Sequence, residues 1–228
     1  MDLDALCAPL IGAKPDLNRW WRVYQQIKQL DPADQPAAIA RVEPLIADWP
    51  AWARNVGIPD IHGWLARPDT PSWSMVRRLS LDRLGGVKGA RALAASPRLA
   101  TIHELELTDS RLSTRALSTL LSSPHFRDLR RITFRLKPGR VPVVTAGLAG
   151  ARWCSPATGF RLDYGPDYKR YLTADDLTAL LSAPIMAHVG HLRLQWGPET
   201  DGAAIFAAAP AQGALRRLDL HSLSLIHI

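Results

Sequence analysis

GARALAASPRLATIHELELTDSRLSTRALSTLLSSP, residues 89 to 124, holds two hydrophobic periods in succession. In Ile102-His-Glu-Leu105-Glu-Leu107 the apolar residues come to alternate with polar ones, as in a strand with one face buried. After Ser113, the residues Ala116, Leu117, Leu120 and Leu121 recur at three- and four-residue steps, which predicts an amphipathic helix with serine at its N-cap. A proline then stops the helix, because the residue before proline resists the α conformation.

The first period recurs along the chain. Val76-Arg-Arg-Leu79-Ser-Leu81, Ile102 to Leu107, Leu129-Arg-Arg-Ile132-Thr-Phe134, Val189-Gly-His-Leu192-Arg-Leu194 and Leu215-Arg-Arg-Leu218-Asp-Leu220 all fit apolar-x-x-apolar-x-apolar. Their central positions are 26, 27, 60 and 26 residues apart, and the long gap calls for one degenerate unit, Phe160-Arg-Leu162-Asp-Tyr164. Pro97, Pro124, Pro184 and Pro210 each stand eight residues before a central apolar residue. Thr173 with Asp176 predicts a capping box ahead of Leu177, Leu180 and Leu181.

Across about two thirds of the chain this pattern resembles the leucine-rich repeat family in its longer, helix-bearing, ribonuclease-inhibitor-like form. Ser110 and Leu112 match the residues that follow the strand in that family's consensus, whereas Lys137 and Gly197 depart from its polar position. The resemblance implies an α/β right-handed solenoid, a horseshoe with a parallel sheet on the concave side and helices on the convex side. Physical reasoning leads to the same expectation. One such unit cannot bury its own apolar face, so units stack. Strands spaced about 4.8 Å apart and helices about 8 to 10 Å apart would bend the stack with strands inside.

The first part of the chain reads differently. Five of the eight tryptophans (Trp20, Trp21, Trp49, Trp52, Trp64) lie before position 70. Leu17, Trp20, Trp21, Tyr24, Ile27 and Leu30 predict a helix with both adjacent tryptophans in the core. Ile39, Val42, Leu45, Ile46 and Trp49 predict a second, kinked or split at Pro44. Two prolines within Arg67 to Ser72 mark a junction. The expected organisation is an α-helical, Trp-rich N-terminal cap over 1–72 and about six repeats over 73–228, the last cut off after Leu220, with no function assigned to 221–228.

Charge is divided unevenly. Of 28 Lys+Arg and 21 Asp+Glu, 7 basic and 9 acidic residues precede position 71, leaving 21 and 12 after it, or −2 followed by +9. The outward strand positions of the expected sheet are rich in arginine, whose guanidinium binds carboxylate or phosphate through paired hydrogen bonds. The candidate binding residues are Arg78, Arg131, Arg135, Arg161, His191, Arg193 and Arg217, with Tyr168 and Arg170 from the aromatic and basic insertion Gly165 to Tyr171. Glu104, Glu106, Asp163 and Asp219 interrupt this row.

These features predict a non-enzymatic protein-interaction module that binds an unidentified partner with an acidic surface. The second reading is electrostatic nucleic-acid binding. No phosphate loop, dinucleotide motif, nucleophile elbow or paired-cysteine metal motif occurs in the sequence, so no catalytic residue, metal or cofactor is expected. His188 and His191 lack a nearby third ligand in the sequence, and Cys7 and Cys154 read as free thiols. The acidic start and the lack of a long apolar run predict a cytoplasmic protein without a membrane span.

Overall fold

The structure is a computed structural model that describes residues 3–67, 69–108, 112–136, 140–149, 160–166, 172–196, 201–210 and 214–222. Three helices come first: α1 (Leu3–Cys7), α2 (Leu17–Gln29) and α3 (Gln35–Ile46). Asp16 caps α2 by accepting the Arg19 N–H, and the helix buries Trp20, Val23, Tyr24 and Ile27. Trp21 is 42% exposed, so only the first tryptophan of the pair is core. Pro44 sits in the last turn of α3 without splitting it, close enough to the end that little of the helix lies beyond the missing N–H.

Strand β1 (Asn55–Ile58) and helix α4 (Ile61–Leu65) follow, then β2 (Arg78–Leu81), α5 (Gly86–Ala94), β3 (Glu104–Leu107), α6 (Thr114–Leu121) and β4 (Arg131–Leu136). The chain continues through α7 (Val141–Ala149), β5 (Phe160–Pro166), α8 (Ala174–Leu181), β6 (Val189–Trp196), α9 (Gly202–Ala208) and β7 (Arg217–Ser222). The strands form one parallel sheet of seven in chain order. Ser113 caps α6, and Thr173 with Asp176 forms the capping box of α8. Pro97 and Pro184 open short 3-10 turns leading into β3 and β6, and Pro71, eight residues before Leu79, does the same for β2.

The expected fold class is corrected. The structure is a mixed α/β fold built on a single parallel sheet, not a right-handed solenoid or horseshoe behind an α-helical N-terminal cap. The sheet already begins inside the segment read as all-helical: Asn55, Val56, Gly57 and Ile58 pair with Arg78, Leu79, Ser80 and Leu81. One cluster of buried apolar residues runs from Leu6 to Leu194 and joins the first helices to the sheet. The successive units are also unequal, with strands of four to eight residues and, among the described residues, 3-10 turns before β1, β2, β3 and β6 but not before β4.

Register sorts the side chains. Val56, Leu79, Leu105, Ile132 and Leu192 align across the strands and are buried, whereas Leu218, in the same row on β7, is 37% exposed. Because side chains alternate along a strand, fixing this row to the core sends the neighbouring positions to the other face.

Two buried arginines tie the first helices to the sheet. The Arg54 guanidinium donates to the Met75 carbonyl at 2.9 Å and to both Glu43 oxygens at 2.7 and 2.6 Å, and Arg77 reaches the same carboxylate at 2.8 Å. Arg98 pairs with Asp69, donates to the carbonyls of Trp64 and Arg67, and lies 4.4 Å from the Trp64 ring centroid. Burying a charge is costly, and these partners offset the lost hydration.

Gly89 in α5 marks the closest backbone approach. A Cβ there would stand 1.9 Å from the Leu84 carbonyl oxygen and 3.1 Å from the Ile61 side chain. Gly→Ala in a helix interior ordinarily stabilises by about 1 kcal/mol. Gly89→Ala is expected to destabilise instead, by roughly 2–3 kcal/mol, because overpacking against backbone cannot relax through a rotamer change. A urea titration of the variant beside wild type measures the sign.

Candidate binding face

The polar face of the sheet carries two lanes of side-chain positions set by register. The first runs Asn55, Arg78, Glu104, Arg131, Arg161, His191, Arg217. The second runs Gly57, Ser80, Glu106, Thr133, Asp163, Arg193, Asp219. Neighbouring rungs are about 4.8 Å apart, close enough for a long side chain on one strand to reach an acid on the next.

On β2 to β4 this reach is used. Arg78 Nη2 lies 2.5 Å from Glu106 Oε2, the Ser80 hydroxyl is 2.9 Å from the same oxygen, and Arg135 Nε is 2.5 Å from Glu106 Oε1. Arg131 Nη1 lies 2.8 Å from Glu104 Oε1, and Arg78 Nη1 is 3.9 Å from Glu104 Oε2. That last oxygen is buried without a hydrogen bond. Three guanidinium groups thus surround two carboxylates, of which Glu106 is only 8% exposed. Arg78, Arg131 and Arg135 are brought together, but around acids of the chain itself. The aligned repeats carry the signal for this, since Arg78, Glu104 and Arg131 occupy the same slot of successive copies.

The β6–β7 end is more open. His191 Nε2 lies 2.8 Å from Asp219 Oδ2, and Arg217 Nε lies 3.1 Å from Asp219 Oδ1 while its side chain stays 69% exposed. Arg193 is exposed and aligned with Asp219. Arg161 holds the lane position between Arg131 and His191. Tyr168 and Arg170 lie outside the described residues, as does Cys154, whereas Cys7 is a buried free thiol. Among the described residues no three of His, Cys, Asp and Glu gather as a metal site would require. None of the described helices is long and apolar enough to cross a membrane.

The charges shift one another's proton affinity. Burial alone would raise Glu106, but the hydrogen bond and charge of Arg78, with Ser80 and Arg135, outweigh it and hold the carboxyl below its ordinary 4.5. Hydrogen bonds from His191 and Arg217 bring Asp219 down to about 2. The Arg130 hydrogen bond lowers Asp128. Burial lowers His103 below 6.5 despite Asp128 at 3.5 Å, so near neutral pH this contact joins an uncharged imidazole to a carboxylate.

Carboxylates with depressed folded-state pKa values stabilise the fold fully above their unfolded values, and that contribution is lost as protons bind at lower pH. Stability is therefore expected to fall as pH drops from about 4.5 toward 2, the range framed by the ordinary Glu106 value and the Asp219 value. Glu106→Gln should lower stability at pH 7 by on the order of 2 kcal/mol and make the acid limb shallower, as read from chemical denaturation across pH. An acid limb as steep as wild type would show that Glu106 does not carry it. No protein-family model, curated protein or solved structure matches this chain.

Proposed function

We propose that the chain is a non-enzymatic protein-interaction module whose polar sheet face docks an acidic surface of a partner protein. Kinship with the leucine-rich repeat family, carried by the recurrent apolar-x-x-apolar-x-apolar stretches, belongs to this reading; the horseshoe geometry does not. The observation that supports it most is the contrast within the face. Arg78, Arg131 and Arg135 are drawn to Glu104 and Glu106, whereas Arg193 is exposed and Arg217, though its Nε reaches Asp219, keeps 69% of its side chain exposed. A docking acid would have to displace an internal carboxylate at the β2–β4 end, but at the β6–β7 end it meets exposed Arg193 and the outward part of the Arg217 guanidinium. Guanidinium holds carboxylate through paired hydrogen bonds.

Electrostatic nucleic-acid binding is the second reading, favoured by the +9 balance after position 70. Glu104 and Glu106 weaken it, because they engage Arg78, Arg131 and Arg135 and leave the β2–β4 end of the face with little guanidinium open to a phosphate chain.

Arg78→Glu is a poor probe of either reading, since it would place a third carboxylate beside Glu104 and Glu106. The double variant Arg193→Glu with Arg217→Glu is expected to lose the partner captured by wild type, with affinity reduced roughly tenfold or more. Arg83→Glu, exposed and off the strands, should retain it. Affinity capture from native lysate followed by titration of the recovered protein measures both. Unchanged binding by the double variant, or oligonucleotide binding that fades with rising salt in place of protein binding, would overturn the proposal.

A further inference from the structure

A second surface, independent of the sheet's polar face, lies at the β1 end of the protein. We propose that the Leu17–Trp21 face of α2, with Trp52 and Ile11 beside it, seats this end of the chain on an anionic lipid surface.

Among the described residues the exposed large apolar side chains gather around the first helices. Ile11 is 69% exposed, Leu17 40%, Trp21 42% and Trp52 43%, and Leu218 alone stands apart from them. Leu17 and Trp21 are four residues apart on α2 and so share a face. Trp52 belongs to the 3-10 turn Ala51–Arg54, which packs against α2, and the Trp20 indole ties the two by donating to the Asn55 carbonyl at 3.3 Å. Ile11 stands on the turn leading into α2, where Gly12 takes a positive φ. The core does not need Trp21, because Trp20, Val23, Tyr24 and Ile27 fill the inner face of the helix. Its ring instead lies against Tyr24, with 5.7 Å between centroids.

The charge on this helix has one sign. From Leu17 to Gln29 it carries Arg19, Arg22 and Lys28 and no acid, and Lys14 precedes it. At about 100° per residue Lys28 falls between Leu17 and Trp21 around the axis, and Arg22 is one step past Trp21. Lys14, Arg22 and Lys28 form no ion pair with a described residue, although the Lys28 ammonium lies 5.8 Å from the Tyr24 ring centroid. Several nearby acids are engaged elsewhere: Asp16 caps α2, Asp4 pairs with Arg41, and Glu43 holds Arg54 and Arg77. Asp31, Asp34 and Asp48 are exposed beyond the ends of α2 and α3. The attraction therefore belongs to one face and not to the segment, and the apolar side chains must supply part of the affinity.

The mixture of side chains selects the occupant. Indole and guanidinium together also suit single-stranded nucleic acid, on whose bases tryptophan stacks. Ile11 and Leu17 find no such partner there. At a bilayer, aliphatic side chains enter the acyl boundary, tryptophan sits at headgroup depth, and lysine and arginine meet anionic headgroups. A second copy docked face to face would bring Lys14, Arg22 and Lys28 against their own counterparts. Contact of this kind is peripheral and needs no membrane-spanning helix.

Co-flotation of the full chain with lipid vesicles is the test. Vesicles with about 30% phosphatidylglycerol in phosphatidylcholine should carry the wild type, and phosphatidylcholine alone should carry little, the difference fading as salt rises. The Leu17→Gln, Trp21→Gln, Trp52→Gln variant should bind at least tenfold more weakly. Lys14→Glu, Arg22→Glu, Lys28→Glu should lose roughly a hundredfold or more, since each cation beside an anionic surface contributes about fivefold. Circular dichroism checks the fold of both. Brominated acyl chains should quench wild-type tryptophan fluorescence but not that of Trp21→Phe, Trp52→Phe, which should still float. Arg193→Glu with Arg217→Glu should float as wild type does, so this inference and the sheet-face reading fail separately. No flotation of wild type, full flotation of either triple variant, or equal quenching of the phenylalanine variant would overturn the inference. So would binding of a labelled 20-nucleotide oligothymidylate, or self-association in sedimentation velocity, that Trp21→Gln abolishes while vesicles go unbound.

Discussion

Parallel strand register is the constraint on which the rest depends. The buried row from Val56 through Leu79, Leu105, Ile132 and Leu192 cannot slip by one residue without turning its apolar side chains to water and the charged lanes into the core. Exposing the apolar row alone, at about 1.5–3 kcal/mol for each side chain, would cost about as much as the usual margin of stability of a domain. The lanes of charge are therefore as well determined as the apolar row, although their own contacts contribute less. A binding face placed in this way inherits its order from the core beneath it.

That inheritance explains why charge count and available charge differ. A residue's face follows from alternation, but its partner follows from which residue stands opposite on the next strand. Glu104 lies between Arg78 and Arg131 because β3 lies between β2 and β4, and Glu106 is reached from both sides by Arg78 and Arg135. Such pairs owe more to partial burial than to proximity, since exposed ion pairs contribute little. Glu104 Oε2, buried with Arg78 only at 3.9 Å and no hydrogen bond, shows that the arrangement is not fully satisfied.

Much of this was legible in the residues. The five template matches and the degenerate Phe160 to Tyr164 unit fall on strands, and both helix caps foreseen from Ser113 and Thr173 form. The first strand was hidden because Asn55-Val-Gly-Ile58 is short, contains glycine, and has aspartate where a proline would stand eight residues before Val56. Trp21 misled because adjacent tryptophans point about 100° apart on a helix, so the face chosen by Trp20, Val23, Tyr24 and Ile27 leaves it outside. For the candidate site, the basic positions were readable from alternation. The pairing of Arg78, Arg131 and Arg135 required reading the copies side by side rather than one by one.

Leu218 bears on dynamics. Among the described side chains of the apolar row it is the one that retains substantial contact with water, so β7 draws less hydrophobic stabilisation from that row than β2 and β3 do. Backbone amides there should open to hydrogen exchange before those of β2 and β3, because local unfolding follows local burial. The exposed arginine of β7 stands on that same labile rung. A ligand bound there would protect it from opening, and part of its affinity would be spent on holding the strand in place.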